Sequence, residues 1–106
     1  MDITVQELKA RIDAGTAPIM IDVRNPHEWE MQHLAGVKLI SLHEIPAKVA
    51  ELADIKDQEI VMICRSGGRS GQATQFLANN GFTHVRNMVG GMLAWKASID
   101  TTFDVN

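Results

Sequence analysis

Cysteine is nearly absent from this chain, since Cys64 is the only one among 106 residues. A single cysteine excludes an internal disulfide and any metal site built from several cysteines. Basic residues are not in excess either, because Lys and Arg number 10 against 13 Asp and Glu. The resulting net charge of −3 argues against a non-specific nucleic-acid binder, which needs cationic side chains to neutralise phosphates.

Long apolar segments are missing as well. No run approaches the roughly 20 apolar residues that a membrane-spanning helix requires. The opening Met1-Asp2-Ile3-Thr4 has neither the basic nor the apolar region of a signal peptide. We therefore expect a cytoplasmic protein without membrane association. The chain has no repeat or linker, and its length is typical of one compact domain, so we expect residues 1–106 to form a single domain.

Short β-branched, apolar runs predict strands at residues 19–23, 37–40, 60–63 and 85–88. Helix signals lie before, between and after these runs. Thr4-Val5-Gln6-Glu7 forms a capping box, and Asn25-Pro26 predicts a second helix start. The first helix is expected to end at Gly15. A helix is expected to open at Ser41 or Pro46, with Ile45, Val49 and Leu52 on one face. A helix with Ala73, Phe76, Leu77 and Asn80 on one side is expected to stop at Gly81, and a closing helix that contains Trp95 is expected after Gly90-Gly91.

Strands that alternate with helices predict an α/β fold with a parallel sheet covered on both faces. Ligands of such sheets bind at the carboxyl ends of the strands. Cys64 lies at that end of the most apolar strand. It opens the glycine-rich loop Cys64-Arg65-Ser66-Gly67-Gly68-Arg69-Ser70.

This loop is suited to holding an anion. Gly67 and Gly68 let the backbone enter conformations closed to other residues, so that successive N–H groups can converge on one point. The following helix contributes unsatisfied N–H donors and a partial positive charge, and Arg65 and Arg69 contribute two cations. All of these effects favour a thiolate at Cys64 and would stabilise a persulfide anion formed on it. The loop therefore predicts covalent, ping-pong catalysis.

Less specific interpretations of the same residues exist. An isolated cysteine is most often a small buried apolar residue, although two arginines and two glycines around it would be an unusual choice for a mere turn. Ser66 and Ser70 can donate hydrogen bonds to a bound anion, and they can equally be capping or turn serines.

A set of motifs follows in order along the chain: Ile21-Asp22-Val23-Arg24, Glu28-Trp29, His33-Leu34-Ala35-Gly36-Val37, the cysteine loop, and Gly90-Gly91-Met92-Leu93-Ala94-Trp95. These motifs resemble those of single-domain rhodaneses, the thiosulfate sulfurtransferases, and the resemblance covers essentially the whole chain. The middle positions of the histidine motif, Leu34 and Ala35, depart from the commoner pattern without changing the chemistry.

The resemblance implies a rhodanese-like, five-stranded parallel sheet in the order 1-5-4-2-3 with the cysteine after the fourth strand. It implies that Cys64 carries sulfur as a persulfide and that the backbone amides of Arg65 through Ser70 form its cradle. Thiosulfate, or a similar small anionic sulfur donor, would supply the sulfur. Cyanide, a small thiol or a protein thiol would accept it. No metal and no organic cofactor is implied.

Two other functions compete with sulfur transfer. Cysteine phosphatases and arsenate reductases on the same fold also need an ionised cysteine and an arginine, but their loop is longer. Only four residues separate Cys64 from Arg69, so the ring should fit one sulfur atom and crowd a tetrahedral phosphate. The second alternative is a docking module, which would have no need for the cysteine. A sulfur relay that docks to a partner protein stays open.

Asp22 and Arg24 are expected to form a structural ion pair rather than an acid–base couple, because buried charges are usually paired. The four histidines lack metal-ligand spacing, and His33 is expected to orient a loop. Trp29 and Trp95 are expected to pack in the core or at its rim.

Overall fold

A single parallel sheet forms the centre of the molecule in a computed structural model of the chain, which describes residues 1–105. The α/β class and the expected strand order are confirmed. Every neighbouring pair of strands runs parallel. Across the sheet the order is β1 (Asp2–Ile3), β5 (Val85–Met88), β4 (Ile60–Ile63), β2 (Ile19–Asp22) and β3 (Lys38–Leu39).

Helices cover both faces of this sheet. They are α1 (Val5–Asp13), α2 (Pro26–Met31), α3 (Ile45–Lys48), α4 (Gly68–Asn79) and α5 (Gly91–Ser98). Buried side chains of α3 and α4 belong to the core on one face, whereas those of α1 and α5 belong to the core on the other. Within residues 1–105, no helix combines the length and the apolar character needed to cross a bilayer.

The central strand β4 is buried along its whole length. Because side chains alternate across a strand, Val61 and Ile63 join the core beneath α1 and α5. Ile60, Met62 and Cys64 join the core beneath α4. This register turns the cysteine side chain toward the helix that follows it.

Local signals placed several helix ends correctly. The capping box at the start of α1 is present, with the Glu7 N–H donating to Thr4 Oγ1 at 3.1 Å and the Thr4 N–H to Glu7 Oε1 at 3.0 Å. Gly15 and Gly81 adopt positive φ angles of 75° and 91° just beyond α1 and α4. A left-handed residue at these positions ends a helix and favours glycine.

The expected helix after β3 is broken into short pieces. A 3-10 turn spans Leu42–Glu44, α3 has only four residues, and a second 3-10 turn spans Ala53–Ile55. Pro46 has no N–H and cannot bond to the Leu42 carbonyl in α-helical fashion. That carbonyl accepts from the Ile45 N–H instead, which tightens the chain into a 3-10 turn.

The four residues expected on one side of α4 differ in burial. Ala73 and Leu77 are buried, whereas Phe76 and Asn80 are exposed. Ser70 and Thr74 complete the buried stripe, because residues three and four apart share a helix face. Ser70 is therefore turned inward, toward the strand that ends in Cys64.

Candidate functional site

Cys64 lies at the junction of β4 and the loop, and only 1% of its surface is exposed. The Gly67 N–H donates to its Sγ atom at 3.0 Å, and the Ser70 hydroxyl donates to the same atom at 3.2 Å. Both donors belong to the start of α4, because Gly67 caps that helix. The sulfur is thus held at a helix N-terminus, where the partial positive charge favours an anion.

The two loop glycines have different roles. Gly67 has a φ angle of 101°, and a Cβ on it would lie 3.3 Å from the Gly90 backbone nitrogen. Gly68 does not have a positive φ, and a Cβ there would meet no atom within 4 Å. The expectation that both glycines supply special backbone conformations is therefore wrong for Gly68, which begins α4 in an ordinary conformation.

The start of α5 supports the loop from behind. The Met92 N–H donates to the Cys64 carbonyl at 2.9 Å, and the Leu93 N–H donates to the Arg65 carbonyl at 3.0 Å. A Cβ on Gly91 would lie 2.5 Å from both of these carbonyl oxygens. Only glycine lets the helix approach closely enough for these hydrogen bonds, which explains why this turn contains it.

Arg69 does not offer a free positive charge to the sulfur. Its guanidinium donates two hydrogen bonds to the Glu28 carboxylate of α2, from Nη1 to Oε1 at 2.7 Å and from Nη2 to Oε2 at 2.9 Å. The hydrogen bond from Arg69 lowers the pKa of Glu28 from 4.5 to about 2. The same bond raises the pKa of Arg69. Sequence reasoning had placed Glu28 only in a motif, with no role at the site.

Asn87 of β5 is a second neighbour that sequence reasoning missed. Its Oδ1 accepts from the Ser70 hydroxyl at 2.5 Å, and its Nδ2 donates to the Gly67 carbonyl at 3.2 Å. It therefore contacts both residues that donate to the sulfur. A signal existed in the sequence, because asparagine is unfavourable in strands and Asn87 lies close to the carboxyl end of one.

The first two residues after Cys64 differ in burial. Ser66 is exposed, and Arg65 is half-buried with its carbonyl bonded to α5. The loop thus brings Gly67 and Ser70 to the sulfur, whereas Arg69 is directed to Glu28.

The structural interpretation of Asp22 and Arg24 is confirmed. Arg24 donates through Nε and Nη2 to the Asp22 carboxylate at 3.0 and 2.8 Å, and both residues are at most 2% exposed. Asp22 pairs in register with Ile63, so the ion pair fixes the strand beside the cysteine. Nearby, His33 stacks on Trp29 at a ring separation of 3.5 Å, and Nδ1 of His33 lies 2.7 Å from the Trp29 carbonyl.

Residues 4–98 match the model of the rhodanese-like domain. The chain belongs to the rhodanese-like domain family. A sulfurtransferase of Allochromatium vinosum is 32% identical over 94 residues, covering 89% of this chain and 86% of that relative. The human single-domain sulfurtransferase TSTD1 superimposes with a TM-score of 0.80 at 25% identity, covering 92% of this chain and 96% of that one. Membership of this family places the protein among the sulfurtransferases.

Some relatives contain a rhodanese-like domain as a minor part. The probable adenylyltransferase/sulfurtransferase MoeZ of Mycobacterium tuberculosis is 36% identical over 95 residues. These residues cover 88% of this chain but only 24% of that relative. The chain therefore spans most of some relatives and about a quarter of others.

Proposed function

We propose that the protein transfers a sulfane sulfur from a small anionic donor such as thiosulfate, and that Cys64 carries this sulfur as a persulfide. One observation carries the proposal: Sγ of Cys64 accepts from the Gly67 N–H and the Ser70 hydroxyl at the N-terminus of α4. Donors aimed at one sulfur atom favour a negative charge there. The backbone amides of the loop would serve the outer sulfur of the persulfide in the same way.

The first step is an attack by the Cys64 thiolate on the outer sulfur of thiosulfate. A sulfur–sulfur bond to Cys64 forms, the sulfur–sulfur bond of thiosulfate breaks, and sulfite leaves with the bonding electron pair. The total charge is unchanged, because one thiolate and one dianion become one persulfide anion and one dianion. No proton is transferred, so no general base is needed once the nucleophile is ionised.

In the second step a thiophilic acceptor removes the sulfur. Cyanide attacks the outer sulfur, forms thiocyanate and returns Cys64 as a thiolate. A thiol acceptor reacts in the same sense and leaves as a persulfide. Both steps exchange one bond to sulfur for another, so neither requires a metal or an external oxidant.

The test is thiocyanate formation from thiosulfate and cyanide, run with the natural chain and with Cys64→Ser. We expect turnover from the natural chain alone. Incubation with thiosulfate should increase the protein mass by one sulfur atom, and cyanide should remove that mass. Activity in the Cys64→Ser chain, with its fold intact by circular dichroism, would contradict the proposed carrier. Hydrolysis of an aryl phosphate without thiocyanate formation would favour the phosphatase alternative.

A protein thiol is the acceptor class that the loop surroundings favour. Val89 and Leu93 are 46% and 38% exposed on either side of the Gly90-Gly91 turn, and the Leu93 N–H bonds to the Arg65 carbonyl. Exposed apolar side chains beside a reactive loop suit contact with another protein. Leu93→Glu should leave turnover with cyanide unchanged and slow sulfur transfer to reduced thioredoxin several-fold. Equal slowing with both acceptors would contradict a docking role.

A further inference from the structure

We propose that Glu28 sets the donor preference of this site by competing with the anionic donor for Arg69. The inference deepens the proposed function and rests on it. Glu28 would be a specificity-determining residue: it weakens the binding of dianionic donors more than the binding of singly charged persulfides.

Arg69 belongs to the cysteine loop, so its ion pair joins this loop to Glu28 of α2. Arg69 is followed directly by Ser70, whose hydroxyl contacts Sγ at 3.2 Å. Its guanidinium nevertheless extends to α2 and makes a two-bond pair with Glu28. The side chain of Glu28 is only 15% exposed and that of Arg69 is 31% exposed. Solvent therefore screens the pair incompletely.

The chemistry of the pair makes exchange with a donor reasonable. A guanidinium binds planar or tetrahedral oxyanions with the same two N–H groups. The sulfonate end of thiosulfate could therefore take the place of the Glu28 carboxylate on Arg69. Arg69 is within electrostatic reach of Cys64, since an ionised Cys64 would help to raise the pKa of Arg69.

The Glu28 carboxylate cannot move away easily when a donor binds the Arg69 guanidinium. Its Oε1 also accepts from the Asn25 N–H at 3.0 Å, which fixes the carboxylate at the start of α2. The fixed negative charge of the Glu28 carboxylate would then face a donor that carries two negative charges. Like charges in a partly buried site repel more strongly than in water, so the carboxylate should weaken the binding of thiosulfate more than that of a donor with a single negative charge.

Glu28→Gln removes the negative charge of the side chain and keeps its size and shape. The amide keeps an oxygen for the Asn25 N–H and for Arg69, so the helix cap is preserved. We expect the KM for thiosulfate to fall by about five- to tenfold and kcat to change by less than twofold. The KM for 2-hydroxyethyl persulfide, which carries one negative charge and has no sulfonate group to bind Arg69, should fall by less than about twofold. Glu28→Ala should shift the KM for thiosulfate in the same direction if the glutamine variant folds poorly.

Glu59→Gln is the matched control. Glu59 also pairs with arginines, Arg11 at 2.7 Å and Arg86 at 3.0 Å, but it precedes β4 at the opposite edge of the sheet. Removing its charge should leave both KM values unchanged. A higher KM for thiosulfate in Glu28→Gln would overturn the inference, since it would mean that Glu28 holds Arg69 ready for the donor. An unchanged KM would overturn it as well.

Binding without turnover distinguishes this inference from the proposed function. Thiosulfate affinity is measured by calorimetry on Cys64→Ser and on the Cys64→Ser, Glu28→Gln double variant, neither of which can form a persulfide. Tighter binding by the double variant supports the competition even if the assumed donor reaction fails. Equal or weaker binding refutes the competition even if the natural chain turns over thiosulfate.

Discussion

Gly91 touches the backbone of Cys64 so closely that a Cβ on it would lie 2.5 Å from the Cys64 carbonyl oxygen. Its φ angle of 60° adds a second reason for glycine. Gly91→Ala should therefore push α5 away from the loop and break the hydrogen bonds to the Cys64 and Arg65 carbonyls. We expect a loss of about 2–4 kcal/mol in the free energy of unfolding, measured by urea denaturation.

Gly68→Ala is the control for this prediction. A Cβ at Gly68 meets no atom within 4 Å, and the residue starts a helix with an ordinary φ. Its free energy of unfolding should change by less than about 1 kcal/mol. An equal loss of unfolding free energy in both variants would show that any added side chain in this region destabilises the fold, and that the close contact of Gly91 is not the cause.

The buried Asp22–Arg24 pair predicts an asymmetric response to substitution. Asp22→Asn leaves a buried guanidinium without its countercharge and should cost about 3–5 kcal/mol in the free energy of unfolding. Replacing both residues by apolar ones, Asp22→Leu with Arg24→Met, should cost clearly less. A double variant as unstable as the single one would indicate that the other bonds of Arg24, including that from Nη2 to the Gln32 carbonyl, carry the stability.

The ion pair of Glu28 predicts a pH dependence of stability with a definite sign. Arg69 lowers the pKa of Glu28 from 4.5 to about 2. A carboxylate with a lowered folded-state pKa stabilises the fold above its ordinary pKa and loses that contribution as the pH falls through the lowered value. The stability difference between the natural chain and Glu28→Gln should be constant above about pH 5 and shrink between pH 4.5 and about 2.

This pH dependence is measured by urea denaturation of both chains across that range. Because Glu59 titrates equally in both, its contribution cancels in the difference. A difference that does not change down to pH 3 would contradict the role of Arg69 in ionising Glu28.

Asn87 predicts a coupling to Ser70. A serine hydroxyl has one proton, which it shares between Asn87 Oδ1 at 2.5 Å and Cys64 Sγ at 3.2 Å. Asn87→Ala removes the two bonds by which Asn87 orients the Ser70 hydroxyl and the Gly67 carbonyl, although that carbonyl keeps its bond from the Gly71 N–H at 3.0 Å. The two donors to Sγ are then held less firmly, and we expect kcat to fall by about tenfold. The double variant with Ser70→Ala should lose much less than the product of the single losses, whereas independent losses would mean that Asn87 does not act through Ser70.

The strand β4 and the cysteine loop were predictable because their signals are local. A buried β-branched run, a cysteine, glycines and a helix start follow one another in the chain. The partners of the loop were not predictable in the same way. Glu28 lies 41 residues before Arg69, and Asn87 lies 17 residues after Ser70, so only the strand order brings them together.

The strand β1 shows no pattern in the sequence, and the residues that α4 buries differ from those that its pattern groups together. The strand β1 has only two residues, too few to show a period, and it forms because β5 offers an edge to pair with. Helical spacing groups Phe76 and Asn80 with Ala73 and Leu77, whereas the packing buries Ser70 and Thr74 and leaves Phe76 and Asn80 exposed. The Ser70 hydroxyl bonds to Cys64 and Asn87, partners that the helical pattern alone does not reveal.

The depth of Cys64 affects how copies of this protein can meet. A disulfide between two copies requires two α-carbons within about 7 Å of one another, so two sulfurs in side chains that are each 1% exposed would have to reach each other at once. Oxidation in air should therefore leave the chains uncrosslinked. A partner protein with an exposed thiol meets this barrier only once, so the burial of Cys64 favours transfer to another protein over pairing with a second copy.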